Sequence, residues 1–211
     1  MANGVAPERI VVAPNGVRLS AARAPRGARE KLRFAYVGGN VDIKGFSVVR
    51  RAFEALTRRD WELVLVDNTL NLGFSSVDAA EWRVRGELTT VPAYTQDGMD
   101  EFFADIDVLL FPSQWKESFG LTVREALARD VWVIATDGGG PADAIAEGIN
   151  GNLIPLNGSH EALLAAVEAL LENPGRLANY RNPLAADVKD FAWQADGLHA
   201  ILAGVARSKA A

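Results

Sequence analysis

Short apolar runs alternate with amphipathic stretches along most of this chain, and that alternation restricts it to a parallel sheet covered by helices. Runs of strand composition occupy 33–37, 62–66, 91–93, 108–111, 131–135 and 151–154, with helical patterns at 45–57, 99–104, 121–128, 141–146 and 160–172. The runs show little period-two alternation, as expected for strands buried on both faces. The expected architecture is α/β: a doubly wound, mostly parallel, Rossmann-like sheet over residues 31–173. Residues 1–30 read as an inter-domain segment and linker, with a short strand and turn at 5–17. Residues 174–211 read as a C-terminal extension of two further helices, and 68–85 as a polar excursion at the sheet edge.

Composition removes several function classes. The chain has no cysteine and two histidines, His160 and His199, far apart in sequence. Disulfides, thiolate zinc sites and cysteine nucleophiles are therefore excluded, and a histidine metal site is not expected. A net charge of −5 without a basic stripe argues against nucleic acid as a partner. The densest basic stretch, 18–33, also carries Gly, Pro and Ala and reads as a loop. No run of about 18 apolar residues and no leader pattern occurs, so a cytoplasmic location is expected.

Candidate chemistry gathers where strands end. After the run at 108–111 comes Pro112-Ser-Gln-Trp-Lys-Glu-Ser-Phe-Gly120, then a helix. In open α/β sheets ligands bind at the carboxyl ends of strands, and a helix that starts there offers free N–H groups to phosphate. The amides of Phe119, Gly120, Leu121 and Thr122 are the candidates. Glu117 and Glu125 flank this helix start. Carboxylates beside a diphosphate are unfavourable unless they accept hydrogen bonds from ligand hydroxyls. A nucleotide sugar carries hydroxyls on both sides of its diphosphate, so Glu117 is assigned to the hexose and Glu125 to the ribose. Helix-start electrostatics and a solvated helix face are the plainer alternatives.

Gly38-Gly39 and Lys44, after the first strand, offer close backbone approach and a cation for the leaving diphosphate. The alternative is an ordinary βα turn with a surface lysine. Thr136-Asp-Gly-Gly-Gly-Pro141 reads as a third glycine-opened helix start or as a flexible turn. Tyr94 either stacks on a base or is a surface tyrosine. Asp105-Ile-Asp107 matches a metal-holding D-x-D pattern, but it closes a helix and enters an apolar strand, so its role is structural.

The ordered set Asn15-Gly16, Gly38-Gly39…Lys44-Gly45, Asp107…Pro112-Ser113, Glu117-Ser-Phe-Gly…Glu125-Ala126, Gly139-Gly140 and Gly148…Asn150-Gly151 resembles the C-terminal domain of retaining GT-B glycosyltransferases, family 4 in particular. The resemblance runs from about residue 10 to 201. It implies a domain that binds a UDP- or GDP-linked sugar as substrate, with no cofactor and no metal. It also implies an acceptor-binding N-terminal domain as partner, through which alone a membrane would be met. Glu117 and Lys44 are the catalytic residues it implies, with neither glutamate a covalent nucleophile, and the base lies near 91–94. Three positions depart from the family pattern. Gly39 stands where many relatives have an arginine, Ala142-Asp143 where a glutamate usually follows the proline, and Trp132 where most have proline. A nucleotide-sugar-binding module without activity is the competing expectation. A dinucleotide oxidoreductase is disfavoured by the absent G-x-G-x-x-G.

Overall fold

The computed structural model describes residues 4–20 and 30–210. Six strands, β1 (Leu32–Val37), β2 (Trp61–Val66), β3 (Glu87–Val91), β4 (Val108–Phe111), β5 (Trp132–Thr136) and β6 (Gly151–Ile154), form one sheet in the order β3-β2-β1-β4-β5-β6. Every pairing is parallel. The α/β, doubly wound expectation therefore holds. The order reverses between β1 and β4, and loops leaving their carboxyl ends border the crevice where such sheets bind ligands.

Two apolar layers flank the sheet. On one face Phe34, Tyr36, Leu63, Leu65 and Leu110 pack against α1 (Phe46–Ala55) and α4 (His160–Glu172). On the other, Ala35, Val64, Leu109 and Val133 pack against α2 (Met99–Ala104) and α3 (Leu121–Leu127). Ser159 caps α4 by accepting from the Ala162 amide at 3.3 Å. α3 is pinned at its far end, where the Asn182 amide donates to the Leu127 carbonyl at 2.9 Å and Arg129 donates to Asp100 at 2.7 Å.

Four expectations need correction. The edge strand lies at Glu87–Val91 rather than 91–93, because Pro92 has no N–H to continue a ladder and Thr89 and Thr90 suit a half-exposed edge. The expected helix at 141–146 is a single 3-10 turn, Ala142–Ala144. Asn150 competes with it, its side chain accepting from the Ala146 amide at 2.8 Å and donating to the Ala144 carbonyl at 3.1 Å. Residues 5–17 hold a 3-10 turn, Pro7–Arg9, and one bridge from Val17 to Asp190 instead of a strand, since Pro7 and Pro14 deprive the segment of donors. The C-terminal extension is one long helix, α5 (Phe191–Ala210), preceded by 3-10 turns at Pro174–Arg176 and Ala185–Asp187. Most of the basic stretch, 21–29, lies outside the described residues. Among the described residues no helix is long and apolar enough to cross a membrane.

Candidate functional site

The loops after β1 and β4 are held together by backbone contact. Gly45 adopts a left-handed conformation (φ 86°), and a Cβ there would stand 2.0 Å from the Pro112 carbonyl oxygen. The Gln114 amide donates to the Ile43 carbonyl at 2.8 Å. This packing delivers Lys44 onto Glu117, Nζ to Oε1 at 2.8 Å, and Ser113 Oγ donates to the same oxygen at 3.0 Å. Oε2 of Glu117 has no partner among the described residues. The glutamate side chain is 20% exposed and the lysine 44%.

From below, the loop after β5 supports Glu117. The Gly140 amide donates to the Glu117 carbonyl at 2.8 Å, and a Cβ on Gly139 or Gly140 would stand 2.3 Å from the carbonyl oxygens of Glu117 or Ser118. The glycine run 138–140 is thus a ledge for the Glu117 loop, not a third helix start. Gly120 turns the chain into α3 with φ 73°. The amides of Phe119, Gly120, Leu121 and Thr122 find no acceptor among the described residues. Arg124 braces this corner, its guanidinium 3.8 Å from the Phe119 ring centre and donating to the carbonyls of Phe119 and Gly140.

A cleft of about 310 Å³ results, lined by Asn15, Val37, Lys44, Phe111, Glu117, Ser118, Phe119, Gly120, Leu121 and Thr122. Six of the expected site residues meet there. The others lie beyond it. Gly38 lies beside Tyr36 and the Lys44 stem, where a Cβ on it would stand 2.5 Å from the Tyr36 hydroxyl and 3.2 Å from the lysine Cβ. Gly39 has φ 60° and faces Asn68, a backbone conformation in which an arginine would be strained. Glu125 is half-buried one turn along α3, and its carboxylate has no hydrogen bond or ion pair among the described residues. Burial pushes its carboxyl pKa up, with Arg129 opposing. Burial likewise raises the Tyr94 hydroxyl, and the charge of nearby Glu125 adds to that. The Tyr94 ring stacks on Phe102 with centres 4.5 Å apart, so one face is already committed. Asp105 and Asp107 serve Arg33, Asp105 as an ion pair with its guanidinium and Asp107 accepting from its backbone amide at 2.8 Å.

Two participants carried no role in the sequence reading. Ser113 orients Glu117, and Asn15 closes one wall of the cleft. Both stood inside quoted motifs, but a hydroxyl or amide gives no directional signal without its neighbours. Asp67, just after β2, also carried no role there, and it lies outside the cleft. Its buried carboxylate accepts from the backbone amides of Thr69, Ser76 and Val77 and the hydroxyls of Thr69, Ser75 and Ser76.

The family model for glycosyl transferases group 1 matches residues 21–186. The chain belongs to that family. Among curated relatives, the D-inositol 3-phosphate glycosyltransferase of Rhodococcus jostii is 30% identical over 216 residues, covering 92% of this chain and 47% of the relative. The protein of the same name from Nocardia farcinica is 31% identical, covering 90% of this chain and 46% of the relative. A GDP-mannose-dependent alpha-mannosyltransferase of Mycolicibacterium smegmatis is 44% identical over 69 residues, 33% of this chain and 18% of the relative. The chain therefore spans about half the length of the first two. Among solved structures, Anabaena HepE in complex with UDP-glucose superposes with a TM-score of 0.67 at 16% identity, over 82% of this chain and 49% of that one. The lipopolysaccharide outer core galactosyltransferase WaaB superposes at 0.68 and 19% identity, over 96% and 58%. The chain thus has an α/β, Rossmann-like fold that matches GT-B glycosyltransferase structures.

Proposed function

We propose that this chain is the donor-binding, C-terminal half of a retaining, family 4 type hexosyltransferase that takes a UDP- or GDP-linked sugar without a metal. The reading rests on one observation: Lys44 and Glu117 meet at 2.8 Å inside the switch-point cleft, beside four amides without acceptors among the described residues. Lys44 and the amides at Gly120 and Leu121 hold the diphosphate and stabilise it as it leaves. Glu117 accepts from the hexose through its uncommitted oxygen. Glu125 accepts from the ribose, and residues 91–94 lie against the base. Neither glutamate acts as a covalent nucleophile.

The acceptor belongs to a second, N-terminal half. Ile10, Val11 and Val12 are 60%, 62% and 80% exposed, and Phe191, Trp193, Leu198 and Leu202 stand exposed on α5. An apolar surface of this kind supports a covering domain. Membrane contact, where the acceptor requires it, comes through that half.

Calorimetric titration with UDP-, GDP-, ADP- and dTDP-sugars, repeated on Glu125→Ala, tests the assignment. Loss of a hydrogen bond to a charged group weakens binding by about 1.5–3 kcal/mol. A variant that binds as tightly as the parent removes Glu125 from the site. The 211-residue chain by itself is expected to bind nucleotide sugar and transfer none; turnover by the isolated chain overturns that division of labour. A binding module without catalysis is the second reading, and Gly39 favours it, because no arginine joins Lys44 at that turn.

A further inference from the structure

We propose that the Lys44–Glu117 pair makes the site discriminate against the spent nucleoside diphosphate in favour of the intact nucleotide sugar. The inference rests on the donor-binding reading above. Among the described residues that line the cleft Lys44 is the sole cation, and it already carries Glu117 at 2.8 Å. The neighbouring turn adds no compensating charge, since Gly39 faces the neutral Asn68. The site therefore meets an incoming diphosphate with a neutral pair rather than a free positive charge.

Glu117 is not placed to withdraw. Ser113 Oγ holds its Oε1, the Gly140 amide holds its carbonyl, and the Gly139–Gly140 ledge stands under its backbone. A diphosphate that reaches Lys44 must share it with a fixed carboxylate. A nucleotide sugar brings hexose hydroxyls that donate to the uncommitted Oε2 and so offset the repulsion. A nucleoside diphosphate brings none, and its terminal phosphate carries additional negative charge next to the carboxylate. Specificity of this kind is a difference of affinities produced by a repulsive element as much as by an attractive one. After transfer the same carboxylate that held the sugar helps to expel what remains.

The test titrates the parent chain and Glu117→Gln with UDP and UDP-glucose, and with GDP and GDP-mannose, at low and high salt. In Glu117→Gln the diphosphate is expected to bind roughly tenfold tighter than in the parent, the scale for like charges in a half-exposed site. Its sugar-linked counterpart does not tighten, and the gain shrinks as salt screens it. A merely structural role for Glu117 gives no such salt dependence. Lys44→Gln, which leaves the carboxylate uncompensated, is expected to lose roughly tenfold more affinity for the diphosphate than for the nucleotide sugar. The proposal is overturned if Glu117→Gln binds the diphosphate no tighter than the parent, or if Lys44→Gln weakens both ligands equally. Should the parent bind none of the four probes, the donor-binding reading fails and this inference with it. A parent that binds nucleotide sugar while the variants keep its preference defeats this inference alone.

Discussion

Two strand ends on the same sheet edge carry acids in opposite conditions. Asp67, after β2, is fully buried, and its two oxygens accept six hydrogen bonds from residues 69–77. Glu117, after β4, receives one lysine and one serine on a single oxygen, and its other oxygen has no partner among the described residues in an open cleft. A carboxylate whose lone pairs are all taken within the fold organises a loop and has nothing left for a ligand. One that is half-served is held in position and still able to accept. Glu125 goes further, its half-buried carboxylate having no hydrogen bond among the described residues.

The comparison can be broken where it is strongest. Asp67→Ala leaves buried amides and hydroxyls unpaired and is expected to destabilise the fold by about 3–5 kcal/mol. Urea unfolding checks this, and Glu117→Ala should change the same midpoint little. Burial alone would raise the Asp67 carboxyl, but the surrounding donors outweigh it and hold it well below the usual carboxylate range. Its stabilising contribution is therefore present above ordinary aspartate values and lost as pH falls through the depressed one, so the parent and Asp67→Ala converge in stability only in strong acid. Gly45→Ala, which drives a Cβ into the Pro112 carbonyl at a left-handed position, should cost about 3 kcal/mol and separate Lys44 from Glu117. Gly39→Ala, where the nearest atom is a side-chain oxygen 3.2 Å away, should cost less. Thermal melts of the two variants rank them.

Smaller effects sharpen the contrast on the binding side. Lys44→Met should weaken nucleotide-sugar binding by about 2 kcal/mol in calorimetry, with the unfolding midpoint nearly unchanged. Glu125→Gln should melt higher than the parent at pH 8 and equally at pH 4. The sign follows from the raised carboxyl: a buried acid disfavours its charged form, so the parent loses stability as pH rises through the elevated value, whereas glutamine has nothing to ionise. Equal melting at both pH values would place Glu125 in water and remove the contrast. Tyr94→Phe is expected to alter binding by no more than about 0.5 kcal/mol, because the ring already packs on Phe102 and the hydroxyl has no partner among the described residues.

The parallel sheet was legible in the chain because burial on both faces demands unbroken apolar runs, and 63–66, 108–111 and 131–135 have no other use for them. The edge strand was misplaced by several residues because an edge needs only half an apolar pattern. The helix expected after Pro141 was lost to Asn150, a competitor whose side chain reaches backbone that the sequence does not mark as near. At the site, Glu117 and Lys44 could be named from residue type and position, and their ion pair could not. They are 73 residues apart, and the loop contacts Gly45–Pro112 and Gln114–Ile43 bring them to 2.8 Å.

Local and periodic properties therefore belonged to the chain alone: the α/β class, the strand ends as the place for chemistry, and the absence of cysteine. Decisions about long-range contact belonged to the tertiary structure. It decided that the glycine run 138–140 supports Glu117 instead of opening a helix, that Asp67 is a structural anchor, and that Lys44 has a carboxylate beside it. The physical reason is that backbone preferences act over a few residues and leave a trace in composition. Hydrogen bonds and charges act through distances that exist only once the sheet has assembled.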